Sequence, residues 1–462
     1  MALPVSSSVL NLERVRAGMD GRVIAPEDPD YDEVRRVLPG DIDRRPAVIV
    51  RAANDQDVAR TVLLARETGL ELAVRAGGHS AGGFGAVEGG IVLDLRDLRA
   101  LEIDPELRFA WAGGGMTAGE YTSEAGRYGL ATGFGDTASV GIGGLTTGGG
   151  IGYLVRKHGL TIDSLLAADV VTADGELIRV DAESHPDLFW AIRGGGGNFG
   201  VVTRFGFRLH PVDQFVGGIL VLPATPDVIA GFMAEAEAAP DELSTIANIM
   251  PSPPMPFVPE EKHGSLVLMA MMAWAGDVKA GQQIMGRFRA LAEPIADLVR
   301  PMTYPEIYPP NEGAEEFHPL AVARIAFKNR VDRKAAETIL QYLEASDAPM
   351  RAVQLRVLGG AMARVPADAT AFAHRSSPIM VAVASFYAGP EDRPKRRAWV
   401  DDLSAALDDG APGAYVNFVG DEGPERVRDA YPGTTYDRLA RIKARYDPDN
   451  LFRHNVNVPP AG

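Results

Sequence analysis

Between Gly133 and Gly152, nine of 20 residues are glycine: positions 133, 135, 141, 143, 144, 148, 149, 150 and 152. Val140, Ile142, Leu145 and Ile151 interleave with them, which a flexible linker does not require. The segment therefore reads as packed backbone brought close to another group. A second glycine turn, 77–85, follows a short apolar strand and opens with Arg75-Ala76-Gly77-Gly78-His79-Ser80. A histidine there has its ring free to reach a ligand, because no neighbouring Cβ crowds the approach. Flanking N–H groups can face a pyrophosphate. Taken alone, the hexapeptide reads equally well as an ordinary loop. No Gly-x-Gly-x-x-Gly follows the first strand of a βαβ unit, and no Gly-Lys-Ser/Thr occurs, so neither turn is a dinucleotide fingerprint or a P-loop. From the residues alone, the two turns suit a phosphate-bearing cofactor and go no further.

The 462 residues are too many for one ordinary core and imply two or three lobes of about 100–200 residues each. Asp plus Glu number 62 against 46 Lys plus Arg, a net charge of −16, which argues against nucleic acid or an anionic membrane as the main partner. The absence of cysteine excludes disulfides, thiolate nucleophiles, Fe–S clusters and cysteine zinc sites. No histidine–carboxylate spacing for a metal is found, so none is expected. Met1 to Asn11 lacks a basic segment followed by an apolar one, and no run of about 18 apolar residues exists. The expectation is a cytoplasmic protein, monomer or homodimer, acting on a small molecule.

Residues 1–41 read as an N-terminal helix with a lead-in segment. The strand 46–51, a helix capped at Asn54 or Asp55 and stopped at Gly69, and the strand 70–74 form a βαβ unit whose ligand-binding turn is at a strand's C-terminal end. Strands 91–95 and 108–112, a helix from Thr117 to Gly129, and strands 177–180 and 201–209 complete a first lobe over 42–211. Beyond Pro211 glycine clusters largely stop. Strands 265–274, 353–358 and 378–386 alternate with helices 278–292, 333–345 and 394–407, which predicts an α+β lobe with a mostly antiparallel sheet over 212–414. Residues 415–462 return to an aromatic and polar character.

Six motifs then occur in one order: Arg75-Ala-Gly-Gly-His-Ser80; Val140-Gly-Ile-Gly-Gly144 with Gly148-Gly-Gly-Ile-Gly152; Arg156-Lys-His-Gly-Leu160; Gly196-Gly-Asn-Phe-Gly-Val-Val202; Tyr415-Val-Asn417; and Tyr446-Asp-Pro-Asp-Asn-Leu-Phe452. That order resembles the berberine-bridge-enzyme-like FAD-linked oxidases of the vanillyl-alcohol-oxidase (PCMH-type) flavoprotein superfamily, over almost the whole chain. The resemblance implies a PCMH-type FAD-binding lobe of two small α/β subdomains, a substrate lobe whose sheet is covered by helices, and a C-terminal segment that returns to the FAD lobe. It implies FAD joined to His79 through its 8α carbon. The remaining cofactor contacts it implies are Arg75, Ala76, Gly77, Gly78 and Ser80; Thr137, Val140, Gly141, Gly143, Gly144, Thr147, Gly148, Gly152 and Tyr153; Gly200 and Val202; and Asn417, Asn455 and Asn457, the last two in a terminal strand or loop.

Two departures matter. Where many relatives carry a cysteine giving a second flavin link, this chain has Thr137, so a bicovalent flavin is impossible. The chain thus looks like the singly linked bacterial branch, of which 6-hydroxy-D-nicotine oxidase is a member. Leu145 stands where many relatives have histidine. Oxidising an alcohol or hemiacetal needs the hydroxyl proton removed, and Tyr415 matches the family's Tyr-x-Asn tyrosine. It is expected to act as base or substrate-orienting hydroxyl, with a pKa lowered by its surroundings. His158 is not expected to be catalytic, His185, His210 and His263 are expected at the surface, and His374 in a polar loop. If the alternate face of the strand ending at Leu358 looks at the flavin, Gln354 and Arg356 are its polar groups. The expectation is hydride transfer from an alcohol, hemiacetal or related C–H of a ring-containing metabolite, with O2 as acceptor giving H2O2. Amine oxidation, a dehydrogenase using another acceptor, and a non-catalytic flavin-binding protein are the alternatives.

Overall fold

Three short apolar runs set the first sheet. In the computed structural model, which describes residues 10–308, 318–420 and 423–462, Val48–Arg51, Ile91–Asp94 and Leu72–Arg75 lie parallel in that spatial order. The strand 91–94 thus inserts between the two strands of the expected βαβ unit. The connecting helix Asp55–Thr68 begins where the Asn54 side chain accepts from the Asp57 N–H at 3.0 Å, and ends at Gly69 with φ +69°. Its Val58, Val62 and Ala65 are buried with Val48, Ile91 and Leu93.

The N-terminal segment departs from the expectation. Besides two short helices, Leu12–Ala17 and Tyr31–Val34, it supplies an edge strand, Arg22–Ile24, antiparallel to Val48–Arg51. The fully buried Asp57 carboxylate holds it by accepting from the N–H groups of Asp20, Gly21 and Ala53. A three-residue strand anchored by a carboxylate some 37 residues away has no local periodicity to announce it.

The second sheet is antiparallel, in the order Leu101–Asp104, Phe109–Gly113, Val201–Arg208, Leu165–Val171 and Leu177–Asp181. The helix Ala118–Gly126 packs on it and starts in a capping box made by Thr117 and Glu120. The third sheet runs Ala296–Asp297, Phe215–Pro223, Leu266–Ala275, Leu243–Pro251, Arg351–Val357, Ile379–Phe386 and Ala321–Lys328, with Arg300–Met302 also paired to the second of these. One face is covered by the helices Pro226–Ala238, Val278–Arg289, Arg333–Ala345 and Arg393–Ala406, which bury Ile229, Phe288, Ile339 and Val400 against Val353, Leu355 and Val357. Because strand side chains alternate, Gln354 and Arg356 point to the other face, toward the glycine-rich segment.

The terminal segment forms two further helices, Pro424–Ala430 and Thr434–Tyr446, and ends in a loop rather than a strand. The Lys443 ammonium, fully buried, spends all three donors on the Asp447 carboxylate (2.6 Å), Asn198 O (2.6 Å) and Phe452 O (2.9 Å). Asn198 in turn bonds Val456 O and the Val458 N–H, so the tail is pinned to the first part of the chain.

The Arg156-Lys157-His158 motif joins the two parts. Arg156 donates to the carbonyls of Ala236, Ala239 and Leu243, and Lys157 to that of Ala275. Arg375 makes a two-point bond to Asp163 in the same junction (2.7 and 2.8 Å). His158 stacks on His210 with ring centroids 4.1 Å apart, and His210 bonds Ser164 Oγ at 2.9 Å. His210 is therefore partly buried, not the surface residue expected. Its neighbours Leu209 and Pro211 lie in a run whose fold-back against Leu130–Ala131 is not visible locally.

Burial depresses both histidines, helped by repulsion of His158 from His210 and Lys157 and of His210 from Arg208 and Lys157, His158 to about 3 and His210 to about 4. Their folded values lie below the unfolded value of ~6.5, so the unfolded chain binds more protons across this interval. Stability is fully present above pH ~6.5 and falls as pH drops toward 4. In urea titrations at successive pH values, His158→Phe is expected to fall less steeply than the parent, by up to one proton. Its Nε2 is buried without a partner, so the phenyl ring loses no bond there. Equal slopes would contradict a buried neutral pair.

Candidate active site

The two glycine segments touch through their backbones. A Cβ on Gly77 would lie 2.3 Å from Gly141 N, and one on Gly141 equally close to Gly77 N. Only glycine permits this approach. Gly143 meets Gly114 O in the same way, and Gly152 meets Phe134 O. The contact sets His79 beside the Ser139–Gly141 turn. Burial lowers the His79 pKa, opposed in part by a hydrogen bond with the Ser139 backbone, so the ring is neutral at pH 7. Gly144 is different. It is exposed inside the helix Ile142–Gly148, and a Cβ there meets nothing among the described residues. Glycine in a helix interior costs about 1 kcal/mol relative to alanine, and here it leaves an open face on the helix that follows the joined segments.

The second layer comes from the tail. Asn417 lies against Gly148, where a Cβ would collide with its Oδ1, and donates from Nδ2 to Leu145 O (2.9 Å) and Tyr415 Oη (2.8 Å). The Gly150 N–H donates to the same tyrosine oxygen at 2.8 Å. Tyr415 is 3% exposed and packs among Ile151, Phe372, Phe418 and Met380. Burial raises its pKa. The bonds from Gly150, Asn417 and Ile151, with the nearby Arg356 charge, oppose that without overcoming it. The expected lowering is therefore not what this environment produces: desolvation of the phenolate outweighs two good donors.

Asn455 and Asn457 line a cavity of about 360 Å³ with Phe84, Val419 and Tyr436. The Oδ1 of each is buried and has no partner among the described residues, while Asn455 Nδ2 is held by Gly197 O and Phe452 O. An acceptor held in place and left unpaired is built for a donor that the chain itself does not supply. Phe84 and the Lys443 anchor behind this wall carry no signal in the sequence.

The other expected residues fall in two groups. Ala76, Gly77, Gly78, Ser80, Val140, Thr147 and Gly148 lie with His79 and Gly141 along the joined segments, and Gly200 and Val202 enter the adjacent strand. Arg75 is turned away. Its guanidinium is fully buried in an ion pair with Asp94 (2.8 Å) and bonds Arg36 O, so it braces the turn from behind. Thr137 is exposed beside Asp136, and Tyr153 is buried with its hydroxyl on Asp136 O at 3.4 Å. His185 is exposed, His263 is partly buried, and His374 is buried against Ala430 O. No metal-competent cluster of His, Asp or Glu occurs among the described residues, and no helix there is long and apolar enough to cross a membrane.

Comparison with known proteins agrees with this geometry. A family model described as an FAD binding domain matches residues 46–181, and one described as berberine and berberine-like matches 414–459. The chain is 31% identical over 457 residues to (R)-6-hydroxynicotine oxidase of Paenarthrobacter nicotinovorans, covering 96% of this chain and 98% of that one. It is 30% identical over 455 residues to the FAD-linked oxidoreductase YgaK of Bacillus subtilis, covering 96% and 97%. The solved structure of 6-hydroxy-D-nicotine oxidase from Arthrobacter nicotinovorans superposes with a TM-score of 0.84 at 27% identity, covering all of both chains. The chain belongs to the berberine-bridge-like FAD-linked oxidases of the PCMH-type flavoprotein superfamily. It is an FAD-dependent oxidoreductase, and the joined glycine segments, the open face at Gly144 and the unpaired asparagine acceptors fit that cofactor.

If the Gly77–Gly141 contact builds the cofactor cradle, Gly141→Ala should lower flavin retained by the purified protein by at least about tenfold, equivalent to ~1.4 kcal/mol. Gly286→Ala, at a helix site where a Cβ meets nothing, should retain it fully. Absorbance at 280 and 450 nm reads both. Full flavin in both variants would contradict the cradle.

Proposed function

We propose that this chain is a covalent-FAD oxidase, with FAD on a single 8α-N-histidyl link to His79, acting on the C–H of an alcohol, hemiacetal or related group in a small ring-containing metabolite. Residues 42–211 and 415–462 hold the cofactor, and residues 212–414 cover it and select the substrate. The observation that carries the reading is the Tyr415 hydroxyl, held by Gly150 and Asn417 on the glycine-rich segment itself. A hydroxyl held on that segment supports the reading of Tyr415 as the acid–base group beside the flavin.

Bound there, FAD would supply a two-electron acceptor for the substrate's hydride, with O2 as the final acceptor giving H2O2. Tyr415 handles the other proton. Its oxygen already accepts two N–H bonds, so at neutral pH the protonated hydroxyl orients the substrate oxygen. The ionised form takes the substrate's O–H proton as the carbonyl forms. Phe372, Phe418 and Ile151 keep water from this hydroxyl. Amine oxidation is a second reading, favoured by the relative named for 6-hydroxynicotine. It forms no alkoxide and makes little use of a phenolate.

Because burial raises the Tyr415 pKa above its usual ~10, the base form is scarce at pH 7 and grows as pH rises. For an alcohol substrate, kcat/KM should climb with pH without a plateau below about pH 10. Tyr415→Phe should flatten that climb and lower the rate at pH 9 by about 100-fold or more. Peroxide release across the pH range is the measurement. A Phe variant that keeps the parent's pH profile would remove Tyr415 from the proton's path.

A further inference from the structure

The face of the third sheet that looks at the glycine-rich segment is apolar along most of its width. Ile246, Met271, Ile325, Phe327 and Met380 share it by register. One polar line crosses it. Asn248 and Gln354 are directly opposite on neighbouring strands, and Gln354 Nε2 donates to Asn248 Oδ1 at 2.9 Å. Arg356 follows two residues on, and its Nε donates to Gln354 Oε1 at 2.8 Å. Its Nη2 donates to Asp136 Oδ2 at 2.5 Å, across the gap between the two parts of the chain. The residue is 5% exposed, and its guanidinium carbon is 5.9 Å from the Phe418 ring, next to Tyr415.

Two of the three guanidinium nitrogens are thus fixed by neighbours. The third, Nη1, takes no partner among the described residues and is not fully buried. A guanidinium is planar, always charged and unable to accept a hydrogen bond. Held at two corners, it presents the remaining N–H pair in one direction at little further cost in side-chain entropy. The group it suits is an oxygen carrying negative charge or a strong lone pair. The apolar residues around it suit a flat ring. A protonated amine in the same place would meet N–H donors with no lone pair to accept its own.

We propose that Arg356, positioned by Asp136 and Gln354, is the specificity residue of this enzyme and selects ring compounds that carry an anionic or enolic oxygen over ring compounds that carry a protonated amine. The proposal rests on the reading that substrate is bound between the third sheet and Tyr415. It narrows that reading from ring-containing metabolites in general to oxyanion-bearing ones. It also separates this chain's chemistry from the oxidation of cationic amines.

Isothermal titration calorimetry of the holoenzyme at pH 7.5 tests it with two probes of one shape, benzoate and benzylamine, the latter protonated at that pH. The unmodified enzyme should bind benzoate at least about tenfold more tightly than benzylamine, a difference of ~1.4 kcal/mol. Arg356→Met should lose that benzoate affinity and, with Asp136 left uncompensated, bind benzylamine as well or better. Gln354→Leu keeps the charge and the Asp136 pair but frees Nε. It should weaken benzoate only a few-fold, and it serves if the methionine variant does not fold. Equal binding of the two probes by the unmodified enzyme, no binding of benzoate at millimolar concentration, or benzoate affinity untouched in Arg356→Met would each overturn the proposal. Absorbance of the same samples reports flavin separately. Colourless protein that still prefers benzoate would contradict the cofactor reading and leave the Arg356 assignment standing.

Discussion

The contact between Gly77 and Gly141 is the constraint on which the rest of the site depends. Two backbone segments distant in sequence approach until neither can carry a side chain. One of them ends the strand Leu72–Arg75 and carries His79; the other leads into the helix Ile142–Gly148. Their union fixes the histidine against the turn at Ser139, and it sets the floor on which Asn417 and Tyr415 rest through Leu145, Gly148 and Gly150. Arg75 and Asp94 hold the first segment from behind with a buried ion pair. Such a pair is a weak source of net stability, but it is costly to break from one side and so suits a turn that must not shift.

Around that floor, three separate devices keep the walls in place. The Arg156-Lys157 pair reaches four carbonyls of the third-sheet region, which makes that motif a joint between the two parts rather than a ligand contact. Arg375 and Asp163 close the same seam. At the tail, the Lys443 ammonium gathers Asp447, Asn198 and Phe452 and so sets Asn455 and Asn457 at the cavity wall. In each case a cation is buried only where backbone carbonyls or a carboxylate meet it, the condition under which burying charge is tolerated.

Much of this was legible in the residues, and the misses share a cause. The helix Asp55–Thr68 could be read because Asn54, its apolar period and Gly69 are local signals. So could the helix Arg333–Ala345, whose four buried positions recur at helical spacing. The glycine clusters marked a close backbone approach, which leaves no other residue type possible. The outward parity of Gln354 and Arg356 followed from alternation along a strand. What could not be read is what distant chain supplies: Arg22–Ile24 as a sheet edge held by Asp57, His210 drawn under His158, and Asp136 as the partner of an arginine 220 residues away. Tyr415 shows the limit from the other side. Its position in a motif indicated its place, but only the fully enclosed surroundings show that desolvation outweighs the donors and raises its pKa.

His79 is the proposed attachment point of FAD. Intact mass of the acid-denatured protein tests that most directly. The expected result is a mass above the polypeptide by one FAD, with yellow colour that stays in the precipitate, and a bare polypeptide mass for His79→Ala. Unmodified protein at the polypeptide mass, or a His79→Ala variant that keeps the added mass, would contradict it.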